Sequence, residues 1–246
     1  NGTLFFWTQL GLWVLIAVMM AVAAYFAYTR RADLIAYLRT HWRALLAAEL
    51  LFIGALVFGL ILRSLNPDLW HPSLGGEKPM DFAYLNAILR TPVFPAPNPW
   101  LADYPINYYY FGFVIAAVPI KLGNVASEIG VNLVLATLYA VLVTLFFTLA
   151  YAIMPSSRRV TRVALAAIGT IFVFLSGNLG TLWLLLAPVT NIPPHRWYWY
   201  PTRILGESAN HAGGAVNEFP IFSFLFGDLH AHILALLPTL LLLITL

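Results

Sequence analysis

Three groups of residues have types and spacings that suit chemistry. Asp228, His230 and His232 lie in Gly227-Asp228-Leu229-His230-Ala231-His232, inside an otherwise apolar run. An aspartate in a membrane span costs roughly 2.5–3.5 kcal/mol on insertion scales, so it is seldom idle. On a helix, Asp228 and His232 are four residues apart and share a face, while His230 points elsewhere. That spacing suits a two-residue metal or phosphate site, or a buried Asp–His pair. The plainer reading is the watery outer end of a span. Glu77 and Asp81 form the second group, on either side of Pro79. Two carboxylates at a membrane surface bind a divalent cation such as Mg or Mn, or one acts as a general base. Acidic residues at a helix start also simply offset its dipole. The third group is cationic and aromatic. Lys78 and Arg203 suit a phosphate, Arg203 through a bidentate contact, although a solvated loop charge explains Arg203 equally well. Tyr108, Tyr109 and Tyr110 offer a stacking surface for a sugar or isoprenoid, or belong to the aromatic belt of a membrane interface. Three in a row point in different directions around a helix, so at least one faces protein.

These residues are held by an oily chain. Of 246 residues, 61 % are hydrophobic and 9 % charged, where a soluble domain carries roughly 25 % charged. The chain is an all-α polytopic membrane protein, expected in the plasma membrane. The spans fall at 4–28, 44–62, 131–153, 163–186 (kinked near Gly177-Asn178) and 222–246, about five in all. Between them lie a large first outer loop, 66–128, and a second polar loop, 188–219, which carries Arg203, Glu218 and the aromatic run Trp197–Tyr200. Inside the first loop, 79–89 reads as a short helix, because proline suits the first helical turn. Residues 92–99 are proline-rich and extended. Four of the ten acidic residues (Asp68, Glu77, Asp81, Asp103) lie in that loop. The chain forms a single transmembrane domain. It starts without methionine and stops inside an apolar run, so it reads as a piece of a longer protein.

Composition also excludes classes. There is no cysteine, which removes disulfides, thiolate metal sites and a cysteine nucleophile. No run is basic enough for nucleic acid. No Gly-rich phosphate loop, zincin helix or nucleophile elbow is present.

Arginine placement sets the topology, since basic loops prefer the cytoplasm. Arg30, Arg31, Arg39 and Arg43 lie inside, and 66–107 lies outside. If 108–122 crossed the membrane, Arg158, Arg159 and Arg162 would fall outside. If it lies along the interface, they fall inside and the two polar loops share the outer side. Fifteen residues reach about 22 Å, short of a ~30 Å hydrocarbon core. The interfacial placement follows, with the three tyrosines at headgroup depth.

The segments Gly76-Glu77-Lys78-Pro79-Met80-Asp81-Phe82, Asn98-Pro99-Trp100, Ile106–Gly112 and Glu218–His232 occur in this order. Together they resemble the YYY membrane-protein family over most of residues 66–240. That family's pattern has an aspartate where this chain has Asn98, which weakens a metal role there. The layout also resembles the catalytic module of GT-C glycosyltransferases, in which a span leads into a large outer loop with an acidic motif and juxtamembrane helices. The resemblance implies a transferase that takes its sugar from a polyprenyl-phosphate donor at the outer face. Asp81 would be the general base and Glu77 its partner or a metal ligand. Lys78, Arg203, His230 and His232 would lie near the lipid phosphate, and the tyrosines would line the groove. A non-catalytic scaffold or lipid-binding subunit of a larger membrane complex is the alternative. A transporter fits less well, because its ionisable groups belong near the bilayer midplane.

Overall fold

The computed structural model describes residues 7–71, 75–155, 158–186, 199–202 and 217–246. In chain order the helices are α1 (Gln9–Thr29), α2 (Arg31–Leu65), α3 (Lys78–Arg90), α4 (Tyr110–Gly123), α5 (Ser127–Ile153), α6 (Arg159–Ile171), α7 (Gly180–Leu186), α8 (Pro220–Phe226) and α9 (Ala231–Thr245). α6 runs into a π-helical turn, Phe172–Ser176. Among the described residues, four helical stretches are long and apolar enough to cross a bilayer: α1, α2, α5 and Arg159–Ser176. This is a polytopic membrane protein. The run expected as a fifth span, 222–246, is divided by Gly227–His230 into α8 and α9. At 15 residues, α9 reaches only about 22 Å.

Residues 31–43 depart from expectation. Their charge suggests an inner loop, yet α2 runs unbroken for 35 residues from Arg31. The segment contains neither Gly nor Pro and is rich in Ala, Leu and Arg, all strong helix formers. The connection to α1 shrinks to Arg30.

The chain forms two compact units, each drawing on α2 and α5. One comprises residues 1–54 and 68–134, the other 55–67 and 135–246. In the first unit, α3 buries Lys78, Asp81, Tyr84, Leu85 and Ile88, a three-to-four-residue stripe along one face. α4 buries Phe113, Ala116, Ala117 and Ile120 in the same rhythm, and the two helices pack together. Lys121 Nζ donates to Leu89 O at 2.7 Å, closing the C-terminal end of α3 with a cation as the helix dipole favours. The Trp7 indole donates to Ile88 O at 2.9 Å, and Gln9 Nε2 to Leu122 O at 3.2 Å. α3 and α4 therefore sit at the N-terminal end of α1. Arg30 and Arg31 lie at its other end, about 30 Å away along 21 residues. α4, at 14 residues, is too short to cross. The proline-rich stretch folds back on itself: Asn98 N donates to Tyr104 O at 2.8 Å and Ile106 N to Ala96 O at 2.9 Å.

In the second unit, Tyr139 of α5 is the packing centre. The rings of Phe58, Phe174 and Phe224 surround it at 5.0–6.1 Å between centroids. Its hydroxyl donates to Phe174 O at 3.2 Å, a carbonyl in the π-helical turn, where the regular helical ladder is interrupted. The expected kink follows directly: Gly177 takes φ +58°, a left-handed value that suits glycine. A Cβ there would strike the Phe219 ring, so Phe219 occupies the notch that glycine leaves. Arg162 donates to Tyr151 O at 2.7 Å and closes the C-terminal end of α5.

Candidate functional site

The first unit gathers Glu77, Lys78, Asp81, Tyr84 and Tyr108 at the start of α3. Glu77 occupies the N-cap position, yet its side chain makes no capping hydrogen bond. Its Oε2 instead lies 3.5 Å from the Tyr108 hydroxyl, which donates to it. Asp81, in the first turn, is only 3 % exposed. The dipole-offset reading thus applies to Asp81 by position, and capping does not account for Glu77. Tyr108 stacks on Tyr84, with centroids 5.5 Å apart and planes at 23°. Its hydroxyl is pushed up to about 12, first by burial and then by the nearby charges of Glu77 and Asp81. Tyr108 therefore stays a donor throughout the physiological range.

The other two tyrosines separate as the geometry of a helix start requires. Tyr109 is 68 % exposed, and Tyr110 is half-buried at the first position of α4. Tyr108 is the member of the triplet that faces protein. Lys78 is buried, with Nζ donating to Asp68 O at 3.1 Å and 3.9 Å from Asp68 Oδ2. It ties the incoming loop to α3, so contact with a phosphate would require exchanging Asp68.

A cavity of about 490 Å³ lies elsewhere in this unit, lined by Trp7, Gln9, Arg90, Ile120, Lys121 and Asn124 among others. It sits at the C-terminal end of α3, about 14 Å along the helix from Asp81 and about 20 Å from Glu77. Burial holds the Lys121 ammonium below its ordinary range.

The second unit gathers Glu218, Ser223, Asp228, His230 and His232. Phe219, seated in the Gly177 notch, fixes the chain beside Glu218. α8 then ends at Gly227, which takes φ +81°. A Cβ on Gly227 would collide with the Arg63 guanidinium, so Arg63 packs directly on this turn. Asp228 and Leu229 follow, both buried, and His230 is the N-cap of α9.

Here the sequence expectation needs correction. Asp228 and His232 are not paired on one helix face, because Gly227 ends α8 before Asp228 and α9 begins only at Ala231. His230, expected to point elsewhere, is the histidine that meets Asp228, with Nδ1 3.4 Å from Oδ2. Its Nε2 lies 3.2 Å from Glu218 Oε2. His232 Nδ1 lies 3.4 Å from the same Glu218 oxygen, and its Nε2 lies 3.3 Å from Ser223 Oγ.

Sequence reasoning placed Glu218 in the second loop without assigning it to a site. It passed over Ser223 and Arg63 altogether. The available signal was Gly227, a residue that commonly stops a helix in the left-handed conformation. Arg203, Trp197 and Tyr198 lie outside the described residues.

A family model described as Uncharacterized membrane protein (DUF2298) matches residues 2–246. The chain belongs to that family. No curated protein and no solved structure matches it.

Proposed function

We propose that this member of the DUF2298 membrane-protein family is a GT-C-type glycosyltransferase of the plasma membrane. It takes a sugar from a polyprenyl-phosphate donor at the outer face. The observation that carries this reading is the buried Asp81, close to Glu77 and Tyr108 in a helix that packs at the N-terminal end of α1. A carboxylate shielded from water at the start of α3 is the group this reading takes as general base.

Asp81 takes the proton of the acceptor hydroxyl as its oxygen bonds to the anomeric carbon. The bond from that carbon to the donor phosphate breaks, and the leaving polyprenyl phosphate carries away the electron pair. Glu77, held by Tyr108, orients sugar hydroxyls. Exposed Tyr109 and Phe111 offer apolar surface to the sugar or the isoprenoid. The leaving phosphate needs positive charge.

The test is transfer from a panel of radiolabelled polyprenyl-phosphate sugars by the protein in nanodiscs. Asp81→Asn is expected to lower turnover about 10²–10⁴-fold, and Glu77→Gln by less. Full transfer by both variants removes the reading. A scaffold or lipid-binding role draws on Lys78, whose buried contacts with Asp68 serve architecture. It predicts that no donor in the panel is consumed.

A further inference from the structure

We infer that Glu218, His230 and His232 bind one divalent ion of the zinc class, with Asp228 and Ser223 orienting the two imidazoles. This site goes beyond glycosyl transfer and does not depend on it. It also replaces the expected Asp228–His232 pair with a different ligand set.

The three side chains each offer one ligand atom, and these atoms lie within 4.8 Å of one another. The spacing of these atoms suits an ion shared between them. Charge-assisted N–H···O bonds run about 2.7–2.9 Å. Here the two imidazole nitrogens stand 3.2 and 3.4 Å from a single carboxylate oxygen. Zinc bonds to nitrogen and oxygen are about 2.0–2.2 Å, so the edges of a tetrahedral site are roughly 3.3–3.6 Å. The observed spacings are close to the edges of such a tetrahedron.

The outer contacts have the same logic. A metal-bound histidine usually presents its second nitrogen to a carboxylate or another oxygen, which fixes the tautomer and the ring. His230 turns one nitrogen to Glu218 and the other to Asp228. His232 turns one to Glu218 and the other to Ser223 Oγ. The two rings sit 5.0 Å apart at 54°, neither stacked nor in each other's way.

Asp228 supplies an independent observation. It is only 6 % exposed, and its Oδ1 makes no hydrogen bond among the described residues. A buried carboxylate is costly without compensating charge, and an ion bound one imidazole away provides it. Two imidazoles and a carboxylate favour zinc over magnesium, which prefers an all-oxygen shell. Three protein ligands leave a fourth position open for water or an anionic oxygen.

The experiment uses the purified full chain in nanodiscs after chelator treatment. Zinc is titrated against a chromophoric chelator, and metal content is measured by mass spectrometry. One equivalent of zinc is expected, not displaced by millimolar magnesium. His230→Gln, His232→Gln and Glu218→Gln should each weaken it at least about 100-fold, and Ser223→Ala about 10-fold. A second measurement is independent of how the variants fold: cobalt(II) added to the unaltered protein should give the visible absorption of a tetrahedral site, abolished by prior zinc. The inference is overturned if the unaltered protein takes up no stoichiometric zinc, if magnesium displaces it, if the histidine variants retain it, or if cobalt shows only octahedral absorption.

Discussion

The two units each carry a polar cluster, but they position it by different means. In the first, the groups sit on one short helix and its neighbour. Pro79 sets the start of α3, the burial stripe turns Lys78 and Asp81 inward, and Tyr108 arrives through a stack on Tyr84. In the second, no single helix holds the cluster. Glu218 is fixed by Phe219 in the Gly177 notch, and Asp228 and His230 lie in the gap between α8 and α9. The first cluster rests on local helix rules and should tolerate distant changes. The second rests on two glycines whose missing side chains make room for a ring and a guanidinium, so it should be fragile far from its own polar atoms.

Gly227→Ala breaks that contrast most severely. The residue is left-handed at φ +81°, and the new Cβ would meet the Arg63 guanidinium. Backbone strain of this kind costs about 1–3 kcal/mol, and forcing atoms into a filled space costs a similar amount. A destabilisation of roughly 2–4 kcal/mol is expected, read as a lower midpoint of thermal unfolding in detergent. Arg63→Ala in the same background separates the two terms, since partial recovery identifies the collision. An unchanged midpoint for Gly227→Ala would show that the α8–α9 gap does not need glycine, and the contrast between units would collapse.

The same difference explains what the sequence could disclose. The start of α3 was legible because proline marks a first turn, and the shortness of α4 followed from counting residues between polar boundaries. Those are local or periodic signals. α3 and α4 pack at the end of α1 opposite Arg30 and Arg31. Treating residues 31–43 as a loop gave charge more weight than helix propensity, and propensity prevailed. The Asp228–His232 pairing assumed that a helix continues through Gly227. Arg63 reads as an ordinary charge near the end of a span, and its packing against Gly227 arises only from tertiary structure. No spacing rule links Glu218 to His230 when a glycine notch in another helix sets the position of the segment.

A milder test asks whether the first unit really rests on local closure. Lys121→Met removes the ammonium that reaches Leu89 O while keeping much of the apolar stem. Loss of one charge-assisted cap costs on the order of 1 kcal/mol. Faster amide hydrogen exchange is expected in the last turn of α3, with the Tyr84–Tyr108 stack retained. Loss of the stack as well would mean that the start and end of α3 are coupled more tightly than local rules allow.

The smallest effect is the most specific. Tyr108→Phe keeps the ring on Tyr84 and deletes only the hydroxyl, whose contact with Glu77 is long at 3.5 Å. The stability change near pH 7 should stay within about 0.5 kcal/mol. The pH dependence carries more information. With the hydroxyl pushed up to about 12 in the folded protein and near 10 when unfolded, the folded state holds the proton more tightly. Its contribution is fully present below about pH 10 and is lost as pH rises through about 12. The unaltered protein should therefore lose stability more steeply than Tyr108→Phe across that window, as followed by thermal unfolding. Difference absorbance between the two proteins should place the missing phenolate transition near the upper end. A transition near pH 10 would mean that neither burial nor the two carboxylates act on the Tyr108 hydroxyl, and the Glu77–Tyr108 contact would drop out of the proposed site.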